Sequence, residues 1–164
     1  MPFPSQFELS SLNGSNGFAI NGINNGDVSG GSVSSAGDIN GDGIDDLIIG
    51  AYGADPSGRS DAGQSYVVFG RAGGFSASLN FSSLSGSNGF AINGINNGDR
   101  SGRSVSSAGD INGDGIDDLI IGAYGADPSG RNGAGQSYVV FGRAGGFSAS
   151  LNLSSLSGSN GFAI

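Results

Sequence analysis

Apolar residues in this chain come in short clusters instead of at helical intervals. Leu47-Ile48-Ile49 and Tyr66-Val67-Val68-Phe69 are unbroken runs, Phe18-Ala19-Ile20 is a third, and between them lie Gly, Ser, Asn and Asp. No segment sustains an apolar position every three to four residues, so helices are not expected. Short runs bounded by turn residues read as strands. The pattern predicts strands at residues 32–37 (SVSSAG), 46–51 (DLIIGA), 64–69 (QSYVVF), and 17–23 with its copy 89–95 (GFAINGI). The two central runs are apolar at every position and need cover on both faces, which sheets stacked on sheets provide.

The pattern then repeats. Residues 7–78 align with 79–150 with eight differences in 72 positions: Phe7/Leu79, Glu8/Asn80, Leu9/Phe81, Asn13/Ser85, Val28/Arg100, Gly31/Arg103, Ser60/Asn132 and Asp61/Gly133. Residues 151–164 begin a third copy. Self-similarity at this period identifies the architecture before any single element does. Four antiparallel strands per repeat, with small residues in the first strand where sheets converge, predict an all-β chain of β-propeller blades, two blades per chain. A parallel β-helix is the rival, but its rungs are shorter than this repeat. The expected organisation is an N-terminal segment 1–26 with a spare outer strand, a first blade over 27–98 and a second over 99–164. Two blades do not close a ring. Open sheet faces and edges invite association, so three or four chains joined head to tail are expected to close it by homo-oligomerisation. The competing picture, an open monomer, would leave many apolar residues facing water.

Composition narrows the function. With 36% hydrophobic residues and 34 glycines, the core must be thin or shared between repeats. The chain has 14 acidic and 6 basic residues, all six Arg, and a formal net charge of −8. Nucleic acid is not an expected partner, because phosphate binding needs a cationic footprint. The absence of Cys and His removes disulfides, thiolate chemistry, the usual zinc sites and imidazole catalysis. The first residues, MPFPSQFELS, lack the basic start and apolar stretch of a signal peptide, and no run is long enough for a membrane span.

The acids are not scattered. DINGDGIDD at 38–46 returns unchanged at 110–118. Oxygen-bearing side chains stand at loop positions one, three and five (Asp38, Asn40, Asp42), glycine follows at six, and Asp46 closes at nine. Alternate positions of a tight loop can turn inward together, and a glycine accommodates the sharp bend. Three carboxylates, one amide oxygen, the backbone carbonyl of Ile44 and a water would suit Ca2+, which takes about six to eight oxygens in irregular geometry. The second loop repeats the set with Asp110, Asn112, Asp114, Ile116 and Asp118, giving one ion per blade and two per chain. An EF-hand or dockerin loop needs an acid at position twelve, where Ile49 and Ile121 stand. Hairpin-turn chemistry alone explains Gly41 and Gly43 but not the spaced acids. Asp45 and Asp117 fall between ligand positions and are expected to be solvated. Repulsion among the acids of one loop would oppose folding without a cation.

The order of strand, DxNGDGxxD loop, strand ending in Gly-Ala, and then YVVF resembles the FG-GAP repeat of integrin α-subunit propellers and of bacterial surface proteins. The resemblance covers essentially the whole chain. It implies calcium in the loop joining the first two strands of each blade, held by the residues just named. It also implies an extracellular or cell-surface setting and a role in adhesion or interaction, with an extracellular protein or glycan as the class of ligand. The sequence departs from the family pattern at Ser29-Gly30 and Ser101-Gly102, in place of Phe-Gly, and at Gly50-Ala51-Tyr52 and its copy, in place of Gly-Ala-Pro. No integrin partner surface is carried over.

Three further features complete the reading. Asp55-Pro56-Ser57-Gly58 and its copy read as turns. Arg100 and Arg103, present only in the second repeat, suggest that this asymmetry marks a junction between chains. An enzyme is not expected: the abundant acids belong to the loops, and no nucleophile is paired with a base. The alternative to an adhesion module is a purely structural or engineered repeat scaffold with no ligand, in keeping with the near-identity of the two sets of rim loops.

Overall fold

The computed structural model describes residues 6–164, an all-β chain interrupted only by three-residue 3-10 turns. Its strands are β1 (Ala19–Asn21), β2 (Ser29–Gly37), β3 (Asp46–Ala51), β4 (Gln64–Val68), β5 (Ser78–Asn80), β6 (Gly89–Asn93), β7 (Ser101–Gly109), β8 (Asp118–Ala123), β9 (Gln136–Val140), β10 (Ser150–Asn152) and β11 (Gly161–Ala163). The expected turns form at Pro56–Gly58 and Pro128–Gly130.

Strands β2, β3, β4 and β6 make one antiparallel sheet, and β7, β8, β9 and β11 make its copy. The register accounts for the unbroken apolar runs. Ile48, Val67 and Phe90 form one cross-strand row, while Ile49, Tyr66 and Ala91 form the adjacent row. Successive residues of a strand point to opposite faces, so these rows feed two different cores. The first row packs with Leu119, Ile121 and Val140 of the second sheet. The second packs with Phe81, Ile20 and Leu79 on the far side. Stacked rings reinforce both cores: Phe90 on Phe147 at 4.1 Å and Tyr66 on Phe81 at 4.0 Å. Such pairs add about 0.5–1.5 kcal/mol beyond the area they bury.

Two strands were not anticipated. The tripeptide Ser-Leu-Asn forms β5 and, one repeat later, β10; β10 adds in parallel to the outer strand β6, and β5 adds in parallel to β1. Each repeat thus lends a short strand to the outer edge of the sheet before it, and the first sheet has five strands instead of four. One apolar residue in three carries no periodic signal, and only the waiting edge of β6 makes that segment a strand. The side chains mark the same register, since Asn93 Nδ2 donates to Asn152 Oδ1 at 2.9 Å and Asn21 Nδ2 to Asn80 Oδ1 at 2.9 Å.

The second sheet lies across the first, with β7 over β2 and β3. Ser32 Oγ donates to the carbonyl of Gly102 at 2.8 Å, and the Ser101 N–H donates to the carbonyl of Ala62 at 3.0 Å. Small residues in β2 and β7 let the backbones approach this closely. The outward faces of the pair are copies of its inward faces. Leu119 is fully buried and its copy Leu47 is 39% exposed; Ile39 is fully buried and its copy Ile111 is 49% exposed. Val33 is likewise exposed where its copy Val105 is half-buried.

Candidate metal-binding loops

Each acidic loop joins the innermost strand of a sheet to the next, β2 to β3 and β7 to β8. Its shape comes from carboxylates accepting backbone N–H groups. Asp38 Oδ1 accepts from Asp42 at 3.0 Å and Oδ2 from Gly43 at 2.8 Å; Asn40 Oδ1 accepts from Asp42 at 2.9 Å, and Asp42 Oδ1 from Ile44 at 2.9 Å. The second loop repeats the arrangement. Asp110 accepts from Asp114 at 3.0 Å and Gly115 at 2.9 Å, Asn112 accepts from Asp114 at 2.9 Å, and Asp114 accepts from Ile116 at 2.9 Å. In both, the Asn amide nitrogen donates to the remaining oxygen of the second Asp, at 3.1 and 3.0 Å. Positions one, three and five are therefore brought together twice over, with Gly43 bending the chain at φ 85°.

The ninth residue of each loop does something different. Asp46 is buried, and its two oxygens accept from Ile39 at 3.2 Å and from Gly70 at 2.8 Å, tying the start of the loop to the end of β4. Asp118 is buried and bonded in the same way to Ile111 at 3.1 Å and Gly142 at 2.9 Å. Burial pushes the Asp46 carboxyl up to about 6; the two backbone donors pull it down in part, and Asp42 and Asp38 raise it further. Burial raises Asp118 as well, against the opposing backbone donors of Gly142, Ile111 and Asn112 and with Asp114 adding to the rise. Burial disfavours the charged form of such a carboxylate, and a cation placed beside it would favour that form. Among the described residues, no group of three or more acidic side chains is drawn closely enough together to hold a metal ion as they stand. The donors at hand are all oxygens, the kind that calcium or magnesium takes; Asp38 Oδ1 keeps a second lone pair beyond its N–H bond, whereas Asp110 Oδ1 accepts from both Gly113 and Asp114.

One expectation is corrected. Asp117 is half-buried and bonded across the sheets instead of freely solvated. Its Oδ2 accepts the backbone N–H of Asp38 in the other sheet at 2.9 Å, and it packs over Gly37, where an added Cβ would meet that same oxygen at 2.1 Å. Asp45, its copy, is exposed as expected, with no partner across sheets among the described residues. Nothing in the loop sequence separates the two, since only the neighbouring blade decides. Arg100 and Arg103, whose asymmetry suggests a junction between chains, themselves lie where the two sheets of one chain meet. Arg100 reaches Asp61 at 3.5 Å and Arg103 lies 5.0 Å over the ring of Tyr52, so both bridge the two sheets of one chain. The contact also joins the first loop to the second sheet, where the Arg143 N–H donates to the carbonyl of Ile39 at 3.0 Å. Asp38 and Asn40 are half-buried as a result, while Asp110 and Asn112 are exposed.

Four-stranded antiparallel sheets stacked face to face, each with an acidic loop after its innermost strand, define a repeat module of the β-propeller kind. The FG-GAP repeat family model matches residues 29–68 and 101–140, so the chain carries two FG-GAP repeats. Each match runs from the start of the innermost strand to the end of the third, β2 to β4 and β7 to β9. The family is a non-enzymatic repeat type, typical of extracellular proteins. No curated protein matches the chain. Among the described residues, no helix is long and apolar enough to cross a membrane.

Proposed function

We propose that the chain is a non-catalytic, calcium-stabilised segment of an FG-GAP propeller that assembles head to tail with copies of itself into a closed ring, for adhesion or interaction outside the cell. Three or four chains would supply about six or eight blades. The observation that carries the assembly is the match between outward and inward faces. Leu47 and Val33 at one end, and Ile111 at the other, copy residues that bury one another inside the chain. A second copy placed by the same rotation as the second sheet would cover both.

One set of differences between the repeats supports this geometry, because it comes as a facing pair. Arg100 meets Asp61 within the chain, and at a junction between copies Val28 would meet Gly133. Both charges of this pair are replaced at the junction, so neither of the two would be left there without the other. Asp45 would cap Asp110 of a neighbour as Asp117 caps Asp38.

One calcium ion in each loop, on Asp38, Asn40, Asp42, the Ile44 carbonyl and Asp46, and on Asp110, Asn112, Asp114, the Ile116 carbonyl and Asp118, would offset the clustered charge. At a weak extracellular affinity of about 0.1 mM, roughly 1 mM calcium would stabilise the fold by about 1.4 kcal/mol per site. That magnitude suits structural support more than signalling. A second reading, a structural or engineered scaffold without a ligand, is favoured by the rim loops, which are nearly the same in both repeats.

Native mass spectrometry with and without a chelator tests the proposal. A mass of three or four chains carrying two ions per chain, falling to single chains when calcium is removed, is expected. Single chains in saturating calcium would refute the ring, and a stable ring with no bound ions would refute the role of the metal.

A further inference from the structure

We infer that, at each junction between copies, β1 of one chain completes the second sheet of its neighbour, taking the place beside β9 that β11 holds in the single chain. This rests on the head-to-tail reading above and settles which strand closes the junction.

The template lies within the chain. The outer strand β6 is bound on one edge by β4 of its own sheet and on the other by β10, and it runs on through residues 94–100 into β7. It therefore belongs covalently to the blade that follows it. Strand β1 is built in the same way. It is bound by β5, runs on through residues 22–28 into β2, and is set by a stack of Phe18 on Phe75 at 4.1 Å that copies the stack of Phe90 on Phe147. Among the described residues, no strand lies on the other edge of β1, the place that β4 fills for β6.

In a second copy the strand equivalent to β4 is β9, and β11 occupies its edge. Strands β1 and β11 share the sequence Gly-Phe-Ala-Ile and cannot both lie there. Three observations favour β1. It is held by β5 and Phe75 where β6 is held, so it arrives already placed. It brings Asn21, which would accept from Gln136 as Asn93 accepts from Gln64 at 2.7 Å. Displacing β11 gives up little burial, because Phe162 is 37% and Ile164 is 68% exposed where Phe90 and Ile92 are fully buried.

The register makes the test specific. Ser65 pairs with Ile92, so Ser137 would pair with Ile20 of the neighbour; within one chain it exchanges backbone bonds with Ile164, at 3.1 and 2.8 Å. The chain has no cysteine of its own. The full chain carrying Ser137→Cys with Ile20→Cys, and separately with Ile164→Cys, is assembled in calcium, oxidised and run on a denaturing gel without reductant. Strand donation gives covalent multimers from the first pair and little internal disulfide from the second, whose internal crosslink forms only in chelated single chains. Internal crosslinking of the second pair within assemblies of confirmed mass, with no multimers from the first, overturns the inference and leaves the ring standing. Single chains throughout, by native mass, overturn both.

Discussion

A methyl group added at Gly50 tests the contact between the two sheets, and the same addition at Gly122 is its internal control. Both glycines sit at the same place in DLIIGA, in β3 and β8, and neither has a positive φ, so alanine fits the backbone at each. A Cβ at Gly50 would stand 1.9 Å from the carbonyl oxygen of Gly102 in β7 and 2.3 Å from Ser32 Oγ. Reaching an ordinary separation requires β3 and β7 to part by roughly 1.3 Å, and overpacking of this kind costs about 1–3 kcal/mol. Parting also breaks the Ser32 to Gly102 hydrogen bond, worth about 1 kcal/mol. A Cβ at Gly122 meets only Ser104 Oγ closely, a hydroxyl that can turn away. Gly50→Ala should therefore lose about 2–4 kcal/mol and Gly122→Ala less than about 1 kcal/mol. Urea denaturation followed by far-ultraviolet circular dichroism, at concentrations dilute enough to hold single chains, measures both. Equal losses in the two variants, or no loss at Gly50, would refute the packing described. At high concentration the order should reverse, because Gly122 would face Gly30 of a neighbour: Gly122→Ala should keep its fold and lose assembly.

Two further outcomes follow from the core and the loops. Phe90→Ala removes a fully buried ring stacked on Phe147 and should cost about 3–5 kcal/mol, whereas Phe162→Ala, its half-exposed copy, should cost less than about half of that; similar losses in denaturation midpoints would count against the difference in cover. The raised Asp46 carboxyl sets a pH dependence for the calcium-free chain: the folded state binds its proton more tightly than the unfolded one, so stability is greatest at low pH within this window and is lost as pH rises from about 4 to about 6. A rise from 3.8 to about 6 corresponds to roughly 3 kcal/mol as an upper bound. Denaturation in chelator should then find the chain more stable at pH 5 than at pH 7.5, and saturating calcium should narrow or reverse that order; a calcium-free chain whose stability rises between these values would contradict it.

Much of the architecture was legible in the residues alone. The repeat of 72 positions, the strands at DLIIGA and QSYVVF and the acidic loops follow from local chemistry: apolar runs that need cover, glycines at bends, and oxygens at alternate positions. These are properties of a segment and its immediate neighbours in the chain, and a copy carries them unchanged. What only the tertiary structure decided is how identical segments come to differ. Asp117 is bound across the sheets while Asp45 is exposed, Leu119 is buried while Leu47 is not, and Ser-Leu-Asn becomes a strand because an edge lies beside it. Each of these depends on which blade stands next in space. Burial and hydrogen bonding belong to pairs of surfaces, and two stretches with the same letters part company as soon as one has a neighbour and the other does not.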